Sequence, residues 1–169
     1  MAGGPAPSFN KGRLVLVWFG LSILIVSAWL ILRAWPAADA SDQVAAPPAD
    51  PQPIAYYLAR ADATRGEAFF QRCSYCHAIS QGSPHGVGPN LHGVMGGPMA
   101  TRPGFNYSEA LRAKGGTWDW DSANRFLHLP RAFVPGTRMT FAGVTNPQDR
   151  ADVLLYLNQQ GGTLAAPAR

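Results

Sequence analysis

The sequence predicts an all-α fold, three to five short helices wrapped around something larger than their own side chains, behind one N-terminal transmembrane helix. Three observations predict it. Residues 14–32, LVLVWFGLSILIVSAWLIL, carry no charge in 19 positions. At 1.5 Å per residue such a helix spans about 28 Å, close to the hydrocarbon thickness of a bilayer. Downstream, four stretches have helical periodicity or helical stop signals, and none alternates as a strand would. Between them lie two Gly- and Pro-rich loops, 80–104 and 130–145. Loops of that length in a small domain usually wrap something, and the apolar side chains alone make too small a core.

Taken in order, residues 1–13 form a polar tail. Lys11 and Arg13 precede the apolar run, a bias that places this tail in the cytoplasm and exports the rest of the chain. Residues 14–33 are read as an uncleaved signal-anchor. The competing reading is a cleaved signal peptide ending near Ala38-Asp39-Ala40, but the run exceeds the roughly 7–15 apolar residues of such peptides. Residues 34–55, rich in Ala, Pro and Asp, form a periplasmic linker with no apolar periodicity. The folded domain occupies 56–162, with a flexible tail at 163–169. Its helices are expected at about 56–73, at 107–114 stopped by Gly115-Gly116, and at 121–128 stopped by Pro130. The fourth has Asn146 as N-cap, Pro147 at the first position and Asp149 against the dipole. Val153, Leu154, Tyr156 and Leu157 make its apolar stripe, and Gly161-Gly162 end it.

Composition narrows the function classes. Apolar residues make up 47% and charged ones 14%, the low charge being concentrated in the absence of any along 14–32. The net charge of +4 comes from 14 basic and 10 acidic residues, with no basic cluster interleaved with aromatics. Nucleic acid is therefore a poor partner for this chain.

The chemistry lies in residues 73–77, CSYCH. Cys-x-x-Cys-His is the attachment signature of c-type haem. Cys73 and Cys76 occupy successive corners of one turn, where their thiols add to the two haem vinyl groups, and His77 then points at the iron. A zinc site needs about four ligands and finds no second Cys pair. A thioredoxin-like pair wants strands alternating with helices. A second axial ligand must come from Met95, Met99, Met139, His85, His92 or His128. Met139 is best placed, in PGTRMTFAG, a loop stiffened by Pro135 between the third and fourth helices. Met95 and Met99 are read as core filler. Thioether ligation raises the potential and leaves no open position, which suits electron transfer.

Residues 64–162 resemble the class I, mitochondrial-type cytochromes c. The matching segments are RGEAFFQRCSYCH, HGVGPNLHG, PGFNYSEALRAKGGTW, PGTRMTFAG and RADVLLYL. With the anchor and linker, the chain is similar to the membrane-tethered c-y type of proteobacteria. The resemblance implies the class I cytochrome c fold around one covalent haem c. It implies that Gly66 and Phe70 cross the C-terminal helix at Tyr156. It makes Pro89 the carbonyl that orients His77, His85 a structural tie, Tyr107 and Trp118 partners of a haem propionate, Thr137 a pocket residue, and Met139 the second iron ligand. Three positions depart from the family. Gly97 stands where an arginine usually neutralises a propionate, which raises the question of whether Arg102 replaces it. Phe126 replaces a tyrosine and Leu111 an asparagine.

The resemblance further implies an electron carrier and not an enzyme. It would take electrons from a cytochrome bc complex and pass them to a haem-copper oxidase or a photosynthetic reaction centre. The expected site is the bacterial inner membrane, single-pass through 14–32, with the domain in the periplasm. The alternative is a fixed electron-entry subunit of an oxidase or dehydrogenase. Relatives dock through a ring of lysines; here Arg72, Arg131 and Arg138 fall at ring positions, while Ala132 breaks the ring. Arg60, Arg125 and Arg150 are read as ordinary solvated surface.

Overall fold

A computed structural model describes residues 50–165, and the tail, the anchor and most of the linker lie outside them. Six helices occur among the described residues: α1 (Ile54–Leu58), α2 (Ala63–Phe70), α3 (Glu109–Lys114), α4 (Trp120–His128), α5 (Pro130–Phe133) and α6 (Pro147–Gln159). None is long and apolar enough to cross a membrane.

Each longer helix starts where a polar side chain meets the first free N–H groups. Asp62 caps α2, accepting from the Arg65 N–H at 2.9 Å. Ser108 caps α3. Asp119 and Ser122 form a capping box on α4. Asn146 caps α6 ahead of Pro147, through the Gln148 N–H at 2.9 Å. Asp62 corrects one expectation. The helix anticipated over 56–73 is two helices, because Asp62 lies in extended backbone (φ −128°) and its carboxylate restarts the chain as α2. Pro130 ends α4 and also begins the four-residue α5. The only extended pairing among the described residues is one antiparallel bridge, Pro98 to Thr117.

The architecture is built on α6. Helix α2 packs most extensively against it, and α1 and α4 also lie along it. The α2–α6 crossing is close because Gly66 has no side chain. A Cβ there would stand 2.1 Å from the Asp152 carbonyl oxygen and 2.8 Å from Tyr156 Cβ. Phe70 and Tyr156 pack together one turn on, their rings tilted 45° with centroids 5.4 Å apart. The crossing is also tied by charge. Asp152 is buried in α6 and accepts from Arg65 Nε at 2.6 Å, from the Asp62 N–H at 2.9 Å and from the Gln148 amide at 3.0 Å.

The buried apolar residues fall into two clusters. One holds Ile54, Leu58, Phe70, Met95, Leu154 and Leu157; the other holds Met99, Tyr107, Leu111 and Val134. Met95 and Met99 are thus buried packing residues. A cleft lies between the clusters, with walls drawn from both.

Arg150 overturns its reading as surface. Its side chain is fully buried. Nε donates to the Asn124 side chain at 2.7 Å and Nη1 to the Thr145 carbonyl at 3.1 Å. It also bonds the Val144 carbonyl and pairs with Asp50. A buried guanidinium persists only when its charge and donors are met, and here they are. The assignment of residues 50–55 to a linker is corrected at the same point. Asp50 belongs to the fold, and Ile54 and Leu58 belong to its core. At the other end, Thr163 donates to the Met95 carbonyl at 3.0 Å, and Leu164 is tied to Asn158. The flexible tail therefore does not begin at 163.

Candidate functional site

After α2 the chain keeps turning. The Cys73 N–H donates to the Phe70 carbonyl at 2.7 Å, and the His77 N–H to the Cys73 carbonyl at 3.0 Å. This tight path puts Cys73, Cys76 and His77 on one wall of the cleft. No disulfide joins the two thiols; Cys73 is half-buried and Cys76 exposed. Burial pushes the Cys73 thiol above its ordinary value, the neighbouring Cys76 adding to the rise and Arg72 opposing it.

His77 is oriented by the backbone. Its Nδ1 donates to the Pro89 carbonyl at 2.7 Å. That bond fixes the tautomer and leaves the Nε2 lone pair for a metal. Burial holds the imidazole below its ordinary pKa, the Pro89 carbonyl partly opposing, and so favours the neutral, ligating form. The turn that delivers Pro89 passes so close that a Cβ on Gly88 would stand 2.2 Å from His77 Cε1. The neighbouring loop is held by His85, which bonds the Pro103 carbonyl through Nε2 (2.9 Å) and accepts from the Asn90 N–H through Nδ1 (2.9 Å). Both of its nitrogens are engaged, so it is a tie within the loops.

Met139 lines the same cleft from the loop that follows α5. Thr137 accepts from the Met139 N–H at 3.3 Å and lines the wall beside it. The cleft has a volume of about 250 Å³. Leu91, Val94, Leu111, Phe126, Leu127 and Leu154 give it an apolar lining. Tyr107 and Trp118 stand in its wall. Of the three docking arginines, Arg72 and Arg138 border the cleft, Arg138 bonding the Asn106 carbonyl. Arg131 is exposed on α5 and does not line the cleft. His92 and His128 also lie outside the lining. Among the described residues no cluster of three His, Cys, Asp or Glu side chains could hold a bare metal ion.

These residues fit a covalent haem. The two thiols and the lone pair of a neutral, oriented imidazole share one wall, two thioethers (Met139 on its loop and the buried Met95) stand elsewhere on the lining, and the space between is apolar. Sequence reasoning missed Asp50, Asp152 and, on the lining, Val94, Ala123 and Leu127. A charged residue inside the C-terminal helix, as Asp152 is, was the signal for one of them.

Comparisons with known proteins point to one family. The Cytochrome c family model matches residues 63–161. A cytochrome c homolog from Bradyrhizobium diazoefficiens is 45% identical over 108 residues, covering 63% of this chain and 59% of that protein. The match thus spans about three fifths of that relative's length. Cytochrome c2 from Rhodomicrobium vannielii is 45% identical over 104 residues, 62% of this chain and 83% of the relative. Among solved structures, cytochrome cH from Methylobacterium extorquens superposes with a TM-score of 0.56 at 37% identity, covering 59% of this chain and 99% of that one.

Proposed function

The chain belongs to the cytochrome c family, whose members are electron carriers with covalently attached haem c and not enzymes, and on that premise we propose a membrane-tethered, single-haem carrier of the c-y type. In this reading it takes electrons from a cytochrome bc complex and delivers them to a haem-copper oxidase or a photosynthetic reaction centre. Residues 14–32 hold it in the bacterial inner membrane, with the domain in the periplasm. The observation that carries the proposal is the cleft with Cys73, Cys76 and His77 on one wall and Met139 on its lining.

When bound, the haem supplies a one-electron couple. The chain does the rest. Cys73 and Cys76 would fasten the group covalently, so that it would not be exchanged among partners. Pro89 holds His77 aligned through the Nδ1 bond, and burial keeps the ring neutral. Met139 would offer a soft thioether as the second ligand, which would favour the reduced state and close the iron to small molecules. The apolar lining keeps water away and disfavours the more highly charged oxidised state. Exposed Arg72, Arg131 and Arg138 supply positive charge for docking, which mainly speeds encounter and orients it. The tether raises the concentration of partners in the same membrane.

Two measurements test the proposal. The reduced protein should show a low-spin, Met-ligated spectrum that Met139→Ala abolishes. Reduction by isolated bc complex in vesicles should be faster with the full chain than with a chain lacking residues 1–33. A Met139→Ala spectrum equal to wild type refutes the ligand assignment. Retention in one oxidase or dehydrogenase complex through mild-detergent purification refutes the mobile shuttle in favour of a fixed subunit.

A further inference from the structure

A second, smaller cavity of about 190 Å³ opens beside the cleft. The two share Val94, Tyr107 and Trp118 as lining. Gly93 and Gly97 bring no side chains to its wall, and among the described residues Arg102 is its only charged side chain. The polar side chains here are donors or hydroxyls: the Arg102 guanidinium, the Trp118 indole, and the Tyr107 and Thr101 hydroxyls. Among the described residues no carboxylate lines the chamber. Thr101 is already spent on the Pro98 carbonyl at 3.0 Å.

This donor set suits an anion. The guanidinium is held in place by a bond from Nη2 to the His92 carbonyl. That occupies one of five donors and leaves the fork its remaining N–H groups. A haem carries two carboxylates on one edge, and the cleft itself offers them little: its cations, Arg72 and Arg138, are exposed. A carboxylate buried without a cation is costly, and one met by a guanidinium and further donors is tolerated.

We propose that Arg102, reaching into this side chamber with Tyr107 and Trp118, is the residue that neutralises a haem propionate in this protein. The inference rests on the haem reading of the cleft. Arg102 acts as a positioning and charge-compensating residue and does not touch the iron. Its position beyond Gly97 in the chain is no obstacle, because Gly97 and Arg102 line the same chamber.

The test is the midpoint potential of the haem-loaded full chain against pH, for wild type and R102Q. A fixed cation beside the haem stabilises the reduced form. R102Q should therefore have a lower potential at alkaline pH. Its uncompensated carboxylate should then take up a proton, so that the potential climbs as pH falls across about pH 8 to 5, where wild type stays flatter. The other titratable groups at this wall are Tyr107, and His85 and His92 on the flanking turns. All three remain in both proteins, so the difference between the curves isolates Arg102. R102H provides the second arm: its side chain gains charge as pH falls through about 6.5, and its potential should rise toward wild type there. Superimposable curves for wild type, R102Q and R102H, each with full haem content by pyridine haemochrome, overturn the assignment while leaving the haem reading intact. A wild-type chain that takes up no haem overturns both.

Discussion

At the scale of single residues, the site depends on how closely backbone approaches side chain. The 2.2 Å separation that a Cβ on Gly88 would have from His77 is far inside van der Waals contact. Gly88→Ala must displace the imidazole or the turn, and the Nδ1 bond to Pro89 would go with it. We expect this variant to keep covalent haem, visible by mass, and to lose the low-spin His77 signature in its optical spectrum. His128 gives a second expectation. Burial and then the charge of Arg150 hold its pKa below the ordinary value, with Asp50 partly opposing. A base with a depressed folded pKa contributes stability that is present above its unfolded pKa, about 6.5, and lost as pH falls. The urea midpoint should therefore drop between about pH 7.5 and about pH 5.5, and it should drop less in His128→Asn.

At the scale of elements, the helices are defined by their ends and joined at one crossing. Asp119→Ala removes the cap of α4 and half of its capping box, and should cost about 1 kcal/mol in chemical denaturation. The Asp119 carboxyl is held below its ordinary pKa, chiefly by the Ser122 N–H. The cap therefore contributes above about pH 3.8 and is lost on further acidification, so wild type and variant should converge in acid. Gly66→Ala places a methyl 2.1 Å from the Asp152 carbonyl at the α2–α6 crossing. The helices must separate, at a cost of about 1–3 kcal/mol or more. A thermal midpoint equal to wild type would refute that account of the crossing.

At the scale of the whole molecule, the domain is completed by residues that precede it. Asp50 meets the buried Arg150, and Arg150 in turn holds carbonyls of the segment between the Met139 loop and α6. Arg150→Met leaves the Asp50 carboxylate, the Asn124 amide and two carbonyls without their donor. It should cost about 3–5 kcal/mol, the range for breaking a buried pair from one side. A chain beginning at residue 50 should unfold like the full chain. One beginning at residue 54 should be weaker by about 3 kcal/mol, since it leaves the guanidinium without its carboxylate. Equal stability of the two shortened chains would show that Asp50 adds nothing.

What the sequence determined by itself is what is local. The turn carrying Cys73, Cys76 and His77, the Asn146-Pro147 start of α6 and the Ser108 cap depend on neighbours a few positions away. So does the stop at Pro130, and spacing and side-chain chemistry specify each. Ordered motifs along 64–162 carried the family as well. Tertiary structure alone decided which side chains meet across the cleft. It put Met139 on a common lining with His77, took Arg150 out of solvent to meet Asp50, split one anticipated helix at Asp62, and brought Arg102 onto a common lining with Tyr107 and Trp118. An arginine reads as surface by composition, because its charge is costly to bury. Only packing shows where a carboxylate and several carbonyls converge to offset that cost.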